Sequence, residues 1–306
     1  MAQCDLIIDS CCDLPADMVD RENVHLLRFP YVLDGGTFED DLFQSTDAHE
    51  FYEGMRKGAE PTTSQLSVPV LTELFTAAAE RGVPTVYLSF TAALSGSYDV
   101  ALMVRDQVRA DYPDLELHII DTHLASVAEG LLVAEAINQL EKGLSASELA
   151  EWALEARNFV NEEFMVEDLE TLRRGGRIPG SVAVAGAALD VKPLLNIAID
   201  GSLSLVGVAR GRKKGIKQLA AYYERNASDD MPKYVVIGNA DCPKDAERLK
   251  DALLKVDDEV IFIDASIGPV IGSHVGPGML AVVFWGKDKR ESLSMVDRIA
   301  KRVKGE

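Results

Sequence analysis

Four short clusters of hydroxyl, carboxyl and glycine residues suit the capture of an anion. They are Asp9-Ser10 with Asp13-Leu14-Pro15, then Thr62-Thr63-Ser64-Gln65, then Leu94-Ser95-Gly96-Ser97, and last Asp121-Thr122. N–H and O–H donors converging at one sheet edge make a site for an anion or a polar head group. Each cluster also has a plain structural use: Ser10 or Asp13 ahead of Pro15 suits a helix N-cap, and Ser64 suits the cap of the next helix.

A second group of residues could act beside these. His274 stands between glycines in Gly272-Ser273-His274-Val275-Gly276-Pro277-Gly278, a loop-like run ahead of a strand. It is either a structural histidine or one that faces a ligand. The stretch from Thr171 to Lys217 holds nine Arg or Lys against Asp190 and Asp200, about +7 in a chain of net −19, leaving −26 elsewhere. Its two basic knots are Arg173-Arg174-Gly175-Gly176-Arg177 and Arg210-Gly211-Arg212-Lys213-Lys214. They are either a solvated face or, since guanidinium groups grip phosphate oxygens, a site for a phosphate-bearing ligand or an acidic partner surface.

Catalytic motifs are mostly broken or missing. Ser95, Asp121 and His274 follow the chain order of an α/β-hydrolase triad, but Ala93 and Ser97 stand where the nucleophile elbow needs glycines. A hydrolase or acyltransferase with Ser95 as nucleophile is the enzymatic alternative, and a non-catalytic interaction module is a further one. Neither a Walker A pattern nor Gly-x-Gly-x-x-Gly after the first strand occurs. His25, His49, His118 and His123 share no metal-ligand spacing with His274, so no metal is expected.

Ordered elements must bring these clusters together. Short β-branched runs at 5–8, 24–29, 85–89 and 115–120 alternate with helical patterns, which predicts a mainly parallel α/β sheet domain. Ala101, Val104, Val108 and Tyr112 mark an amphipathic helix over 98–112. Residues 127–137 are apolar nearly all round, as in a helix sandwiched in the interior, which Gly143 closes. Ser145 with Glu148 forms a capping box for a helix to about Arg157. Beyond a boundary near 159 the pattern changes. Runs at 194–199 and 203–208 flank Asp200-Gly201, the signature of a two-residue hairpin turn. Further strands are expected at 234–237, 260–263 and 280–285, and a terminal helix over 290–303. The expectation is two domains, 1–158 (N-terminal α/β) and 159–306 (C-terminal α+β with antiparallel pairing).

The 306 residues are 47% hydrophobic and 26% charged, too apolar for a disordered chain and long enough for two cores. A net charge of −19 disfavours nucleic acid and anionic lipid surfaces as partners. Asp5 and Asp9 interrupt the first apolar run and no membrane-length stretch follows, so a cytoplasmic protein is expected. Four cysteines, with Cys11 and Cys12 adjacent, fit no disulfide framework or CxxC site and read as buried thiols, redox sensing by the pair being the other reading.

Several ordered motifs resemble the DegV family, the bacterial fatty-acid-binding proteins that serve as the lipid-presenting subunit of fatty acid kinase. Ile8-Asp9-Ser10-Cys11-Cys12-Asp13-Leu14-Pro15 is similar to the family's Thr-Asp-Ser-x-x-Asp-Leu-Pro, and Pro61-Thr62-Thr63-Ser64-Gln65 to its Pro-x-Thr-Ser-Gln. Leu94-Ser95-Gly96-Ser97-Tyr98 resembles Leu-Ser-Gly-Thr-Tyr, and Leu172-Arg173-Arg174-Gly175-Gly176-Arg177-Ile178 resembles Leu-x-x-Gly-Gly-Arg-Ile. Lys192-Pro193-Leu194, the Arg210–Lys214 knot and Gly276-Pro277-Gly278 after His274 follow in the family's order.

The resemblance implies a long-chain fatty acid buried between two domains, as ligand and without a cofactor. Its carboxylate would be held by Thr63 and Ser95 with His274 nearby, and Thr62, Ser64 and Gly96 flanking. A separate kinase would carry ATP and metal and make the acyl-phosphate used in phospholipid metabolism, so this chain would be a non-catalytic subunit. Arg173, Arg174, Arg177, Arg210 and Arg212 then become candidates for docking that kinase or meeting the phosphate. The sequence departs from the family pattern at Cys11 and Cys12, at Leu66, where proline is common, and at Ser97, where threonine stands. The cysteine pair bears on the pocket floor, and with it on the choice of acyl tail.

Overall fold

The β-branched runs of the first 121 residues form a parallel sheet. A computed structural model describes residues 3–178 and 190–292 of the chain. Strands β1 (Asp5–Asp9), β2 (Val24–Leu27), β6 (Thr85–Ser89) and β7 (Leu117–Asp121) lie in the order β2-β1-β6-β7, each pair parallel. Every residue of β1 and β6 is buried, as both faces of a parallel sheet require. Alternation then divides the core. Ile7, Tyr87 and Ile119 face α3 (Val68–Arg81) and α4 (Ser97–Asp111), whereas Leu6, Ile8, Val86 and Leu88 face α5 (Val127–Glu141) and α6 (Ala146–Ala156). Ser145 and Glu148 form the expected capping box of α6.

The sequence reading missed a small antiparallel sheet. After α1 (Ala16–Val19), strands β3 (Pro30–Leu33) and β4 (Gly36–Glu39) pair, and β5 (Thr62–Thr63), which follows α2 (Ala48–Arg56), completes the order β4-β3-β5. Two to four residues per strand are too few to show alternation. The sheet nevertheless fixes Thr63 opposite Tyr31.

The second half contains a six-stranded sheet, β10-β9-β8-β13-β11-β12. Its strands are β8 (Val160–Met165), β9 (Val191–Ile197), β10 (Leu203–Arg210), β11 (Tyr234–Asn239), β12 (Ile261–Ser266) and β13 (Leu280–Trp285). All neighbours pair antiparallel except β11 with β12. Helices α8 (Arg212–Asn226) and α9 (Pro243–Leu253) cover one face through Ile216, Leu219, Tyr223, Leu249 and Leu253. The other face lies against α5, which touches β8, β11 and β13. The helix is apolar all round because it lies between two sheets, as expected.

Several local expectations need correction. The Asp200-Gly201 hairpin has a three-residue loop, closed by Ala198 N–H to Ser202 O at 2.8 Å, with only Gly201 at positive φ (83°). Asp200 instead accepts the Ser202 N–H through its carboxylate, so the turn does not need two left-handed residues. Neither Ser10 nor Asp13 caps α1, whose N-cap is Pro15, and Ser67, not Ser64, precedes α3. Of the terminal helix expected over 290–303, the structure describes only a short 3-10 turn at Lys289–Ser292, and the rest lies outside the described residues. Among the described residues no helix is long and apolar enough to cross a membrane.

Candidate functional site

Strand alternation at β5 leaves Thr62 exposed and turns Thr63 inward. Across from it stands α10 (Pro269–Val275), so His274 lies in the last turn of a short helix and not in the glycine loop that the sequence suggested. Pro269 starts this helix and Gly276, at φ 75°, ends it. The His274 Nε2 is 2.7 Å from Thr63 Oγ1. Burial, and then the nearby Arg177 guanidinium, push the imidazole down to about 4, so it is neutral at pH 7.

The Leu172–Ile178 motif explains how histidine and arginine meet. α7 (Glu170–Arg174) ends at Gly175, where a Cβ would stand 2.2 Å from His274 Nδ1. Only glycine lets the ring come this close. Gly176 follows at φ 72°, a conformation that favours glycine, and turns the chain so that Arg177 reaches back. Arg177 donates to the carbonyls of Leu94 at 3.2 Å and Gly175 at 2.6 Å. Burial lowers its pKa.

Ser95 enters from the loop before α4. Its Oγ donates to Ser97 Oγ at 3.0 Å, and Ser97 Oγ also accepts the Leu66 N–H at 3.0 Å. The two hydroxyls therefore link the loop carrying Ser95 to the one carrying Thr63. A Cβ at Gly96 would meet the end of the Gln65 side chain, its Oε1, at 2.6 Å.

These groups line one cavity of about 430 Å³, within the ~300–1,000 Å³ typical of small-molecule sites. Thr63, Ser64, Ser95, Gly96, Arg177 and His274 supply polar lining. Phe29, Phe90, Leu94, Phe164, Leu172 and Ile271 represent the apolar remainder, drawn from both halves of the chain. Cys11 lines it as well, while Cys12 packs under the parallel sheet, and burial pushes both thiols up.

The first acidic motif braces the cavity without lining it. Asp9 accepts N–H groups from Cys11 and Phe90 at 3.1 and 2.9 Å and the Tyr87 hydroxyl at 3.1 Å. Asp13 accepts Ser126 Oγ at 2.5 Å and the Gly268 N–H at 2.8 Å, tying the starts of α5 and α10 together. Tyr52 adds a bond from its hydroxyl to Ile267 O at 2.6 Å. The helix that carries His274 is thus held by residues distant in sequence.

The hydrolase arrangement is absent among the described residues. His274 bonds Thr63 where a triad would have Ser95, and its Nδ1 has no hydrogen-bond partner where a triad would have Asp121. Asp121 instead receives the Ala92 and His123 N–H groups at 3.1 Å each. No group of His, Cys, Asp or Glu there could hold a metal. The basic residues also separate. Arg173 pairs with Glu170 and Arg174 with Glu60, both exposed, while Arg212 binds Glu167 and Asp245. Arg210 is exposed at the end of β10, and only Arg177 of the five reaches the cavity. Sequence reasoning passed over Glu162, which lines the cavity, and quoted Gly175 and Gln65 within motifs without giving either a role of its own. The Gly-Gly pair was the available signal for Gly175.

Comparison with known proteins covers nearly the whole molecule. The family model described as "Uncharacterised protein, DegV family" matches residues 3–287. A DegV domain-containing protein of Clostridium perfringens is 35% identical over 285 residues, 93% of this chain and 98% of that protein. A fatty-acid-binding DegV family protein of Thermus thermophilus is 28% identical, with a TM-score of 0.76 over 92% of this chain and 99% of that one. A stearic-acid-binding protein of Eubacterium ventriosum is 26% identical, with a TM-score of 0.79 over 96% of this chain and 100% of that one.

Proposed function

From the premise that this chain belongs to the DegV family, we propose that it binds a long-chain fatty acid in the cavity and presents it to a separate kinase for conversion to acyl-phosphate. The observation that carries the reading is the cavity's lining, which sets hydroxyl, imidazole and guanidinium groups, with Thr63 and His274 bonded to one another, among mostly apolar side chains. Solved relatives that bind fatty acids support it. Each buried methylene contributes ~0.8 kcal/mol, so a tail of about fifteen carbons supplies on the order of 12 kcal/mol before ordering costs. The tail therefore provides affinity and the head group sets orientation.

The polar groups suit a carboxylate. An orphaned buried N–H costs more than an orphaned lone pair, so the His274 proton belongs on Nε2, where it is donated to Thr63 Oγ1. The Thr63 hydroxyl proton is then free for the ligand. Ser97 Oγ, by rotating its hydroxyl, can donate to Ser95 Oγ and release the Ser95 proton to the same carboxylate. Neutral donors hold the oxygens without forming an ion pair, which leaves them nucleophilic toward a phosphoryl donor. Arg177 lies close enough to the site to meet the charge that the phosphate adds.

The kinase docks on basic residues outside the cavity. Arg210 is exposed there, and Arg173 and Arg174 are held only by surface ion pairs, which dissociate at small cost. Arg212, bound to two carboxylates, acts by holding the start of α8. The test combines fatty-acid-loaded protein, ATP and the candidate kinase. Acyl-phosphate should form, Thr63→Ala with Ser95→Ala should weaken fatty-acid binding, and Arg210→Ala should retain lipid while slowing transfer. Failure to bind any fatty acid refutes the reading.

A further inference from the structure

We propose that Glu162 forms a second polar subsite in this cavity, one that takes a hydroxyl or oxo group carried part-way along an acyl chain. The inference rests on the fatty-acid reading and assigns a residue that the reading leaves unused. Glu162 lies in the middle of β8 and lines the cavity together with Phe164, two residues on and on the same face. Their partners across the ladder, Val283 and Ala281, point the same way, and Ala281 lines the cavity too.

The residue is only 6% exposed, and its Oε1 has no hydrogen-bond partner among the described residues. A carboxyl left partly unpaired in such a wall is costly, and a leucine of similar size would avoid the cost. The Ile197 N–H and the Lys289 ammonium are the groups that favour its ionised form, but burial outweighs both and pushes it up to about 8. At pH 7 it is therefore mainly the neutral acid, with one O–H to donate and a carbonyl to accept, which matches an alcohol or a ketone. Several other polar lining groups are already engaged: Thr63 bonds His274, Ser95 bonds Ser97, Arg177 donates to two backbone carbonyls, and Ser126 donates to Asp13.

Met279, just before β13, lines the cavity as well, and Val283, opposite Glu162, lies four residues further along the chain, on the order of 14 Å away at ~3.4 Å per residue. This wall of the cavity therefore runs along the strand over a length that several acyl carbons would occupy.

Oleic and ricinoleic acid test the proposal, because they differ only by one hydroxyl on the distal half of the chain. Titrations of the full chain should show the wild type binding ricinoleate at least as tightly as oleate. In Glu162→Leu the ratio of the two dissociation constants should shift about tenfold toward oleate. Glu162→Gln, which keeps shape and hydrogen bonding, should hold the ratio near the wild-type value and shows that any shift is not misfolding. A ratio unchanged by Glu162→Leu, or a wild type that already favours oleate tenfold, overturns the subsite alone. If neither ligand binds the wild type, the fatty-acid reading itself fails and the subsite falls with it.

Discussion

Replacing Gly175 by alanine perturbs the proposed head-group site through one atom. The new Cβ would stand 2.2 Å from His274 Nδ1, 3.0 Å from Cε1 and 3.3 Å from the Thr171 carbonyl. The backbone is not the obstacle, since Gly175 has helical geometry with φ −71°. Alanine is worth ~0.5–1 kcal/mol over glycine in helical backbone. Relief to ordinary contact at about 3.4 Å requires the imidazole to retreat by roughly 1 Å, and the 2.7 Å bond to Thr63 cannot survive that shift. Losing this bond and the Thr63 orientation it sets should cost ~1–3 kcal/mol of binding, about five- to 150-fold in affinity, with the tail's contribution untouched. Displacement of a fluorescent fatty acid measures the change, and thermal unfolding should show a midpoint within a few degrees of wild type. In a His274→Ala background the clash has no target, so Gly175→Ala should add nothing further. Wild-type affinity in Gly175→Ala, or an equal loss in both backgrounds, would refute the reasoning.

Other consequences follow from the buried groups. Burial holds protons on Glu162 (about 8), Glu163 and Asp40 (about 7 each) and Asp9 (about 6) that the unfolded chain has released. Stability should therefore rise as pH falls from 8 to 6.5, by on the order of 1 kcal/mol per pH unit for each group that takes up its proton. Below 6.5 His274, held down at about 4, opposes the trend, because only the unfolded imidazole can take up a proton there. An unfolding midpoint that drops between pH 8 and 6.5 contradicts this. Asp13→Ala orphans the Gly268 N–H and Ser126 hydroxyl and should lower stability by about 2–4 kcal/mol in denaturant titration, whereas a loss under ~0.5 would dismiss the brace. Ser95, whose hydroxyl bonds Ser97 and not His274, should stay unlabelled by a serine-directed acyl probe, and a covalent adduct would restore the hydrolase reading.

Sequence patterns were most legible where local chemistry and tertiary role agree. Asp5-Leu6-Ile7-Ile8 and Thr85-Val86-Tyr87-Leu88 read as strands because both faces of a parallel sheet demand apolar residues. The Ser145–Glu148 box is a local interaction and needed no fold to find it. β8 was invisible because Asn161, Glu162 and Glu163 occupy its centre, and their burial is decided by neighbours from β9, β13 and α8. His274 looked like a loop residue because the glycines around it also serve a seven-residue helix and a close contact with Gly175. At the candidate site, residue types announced donors, but Thr63 and His274 are 211 positions apart and only the fold makes them partners. Thr62, equal to Thr63 by composition, was separated from it only by strand alternation.

Native mass spectrometry of the gently purified full chain tests the central claim most directly. A mass increment of one long-chain fatty acid per chain is expected, released by organic extraction and restored by adding oleate. A protein that carries no lipid and gains none after oleate is supplied would contradict the account.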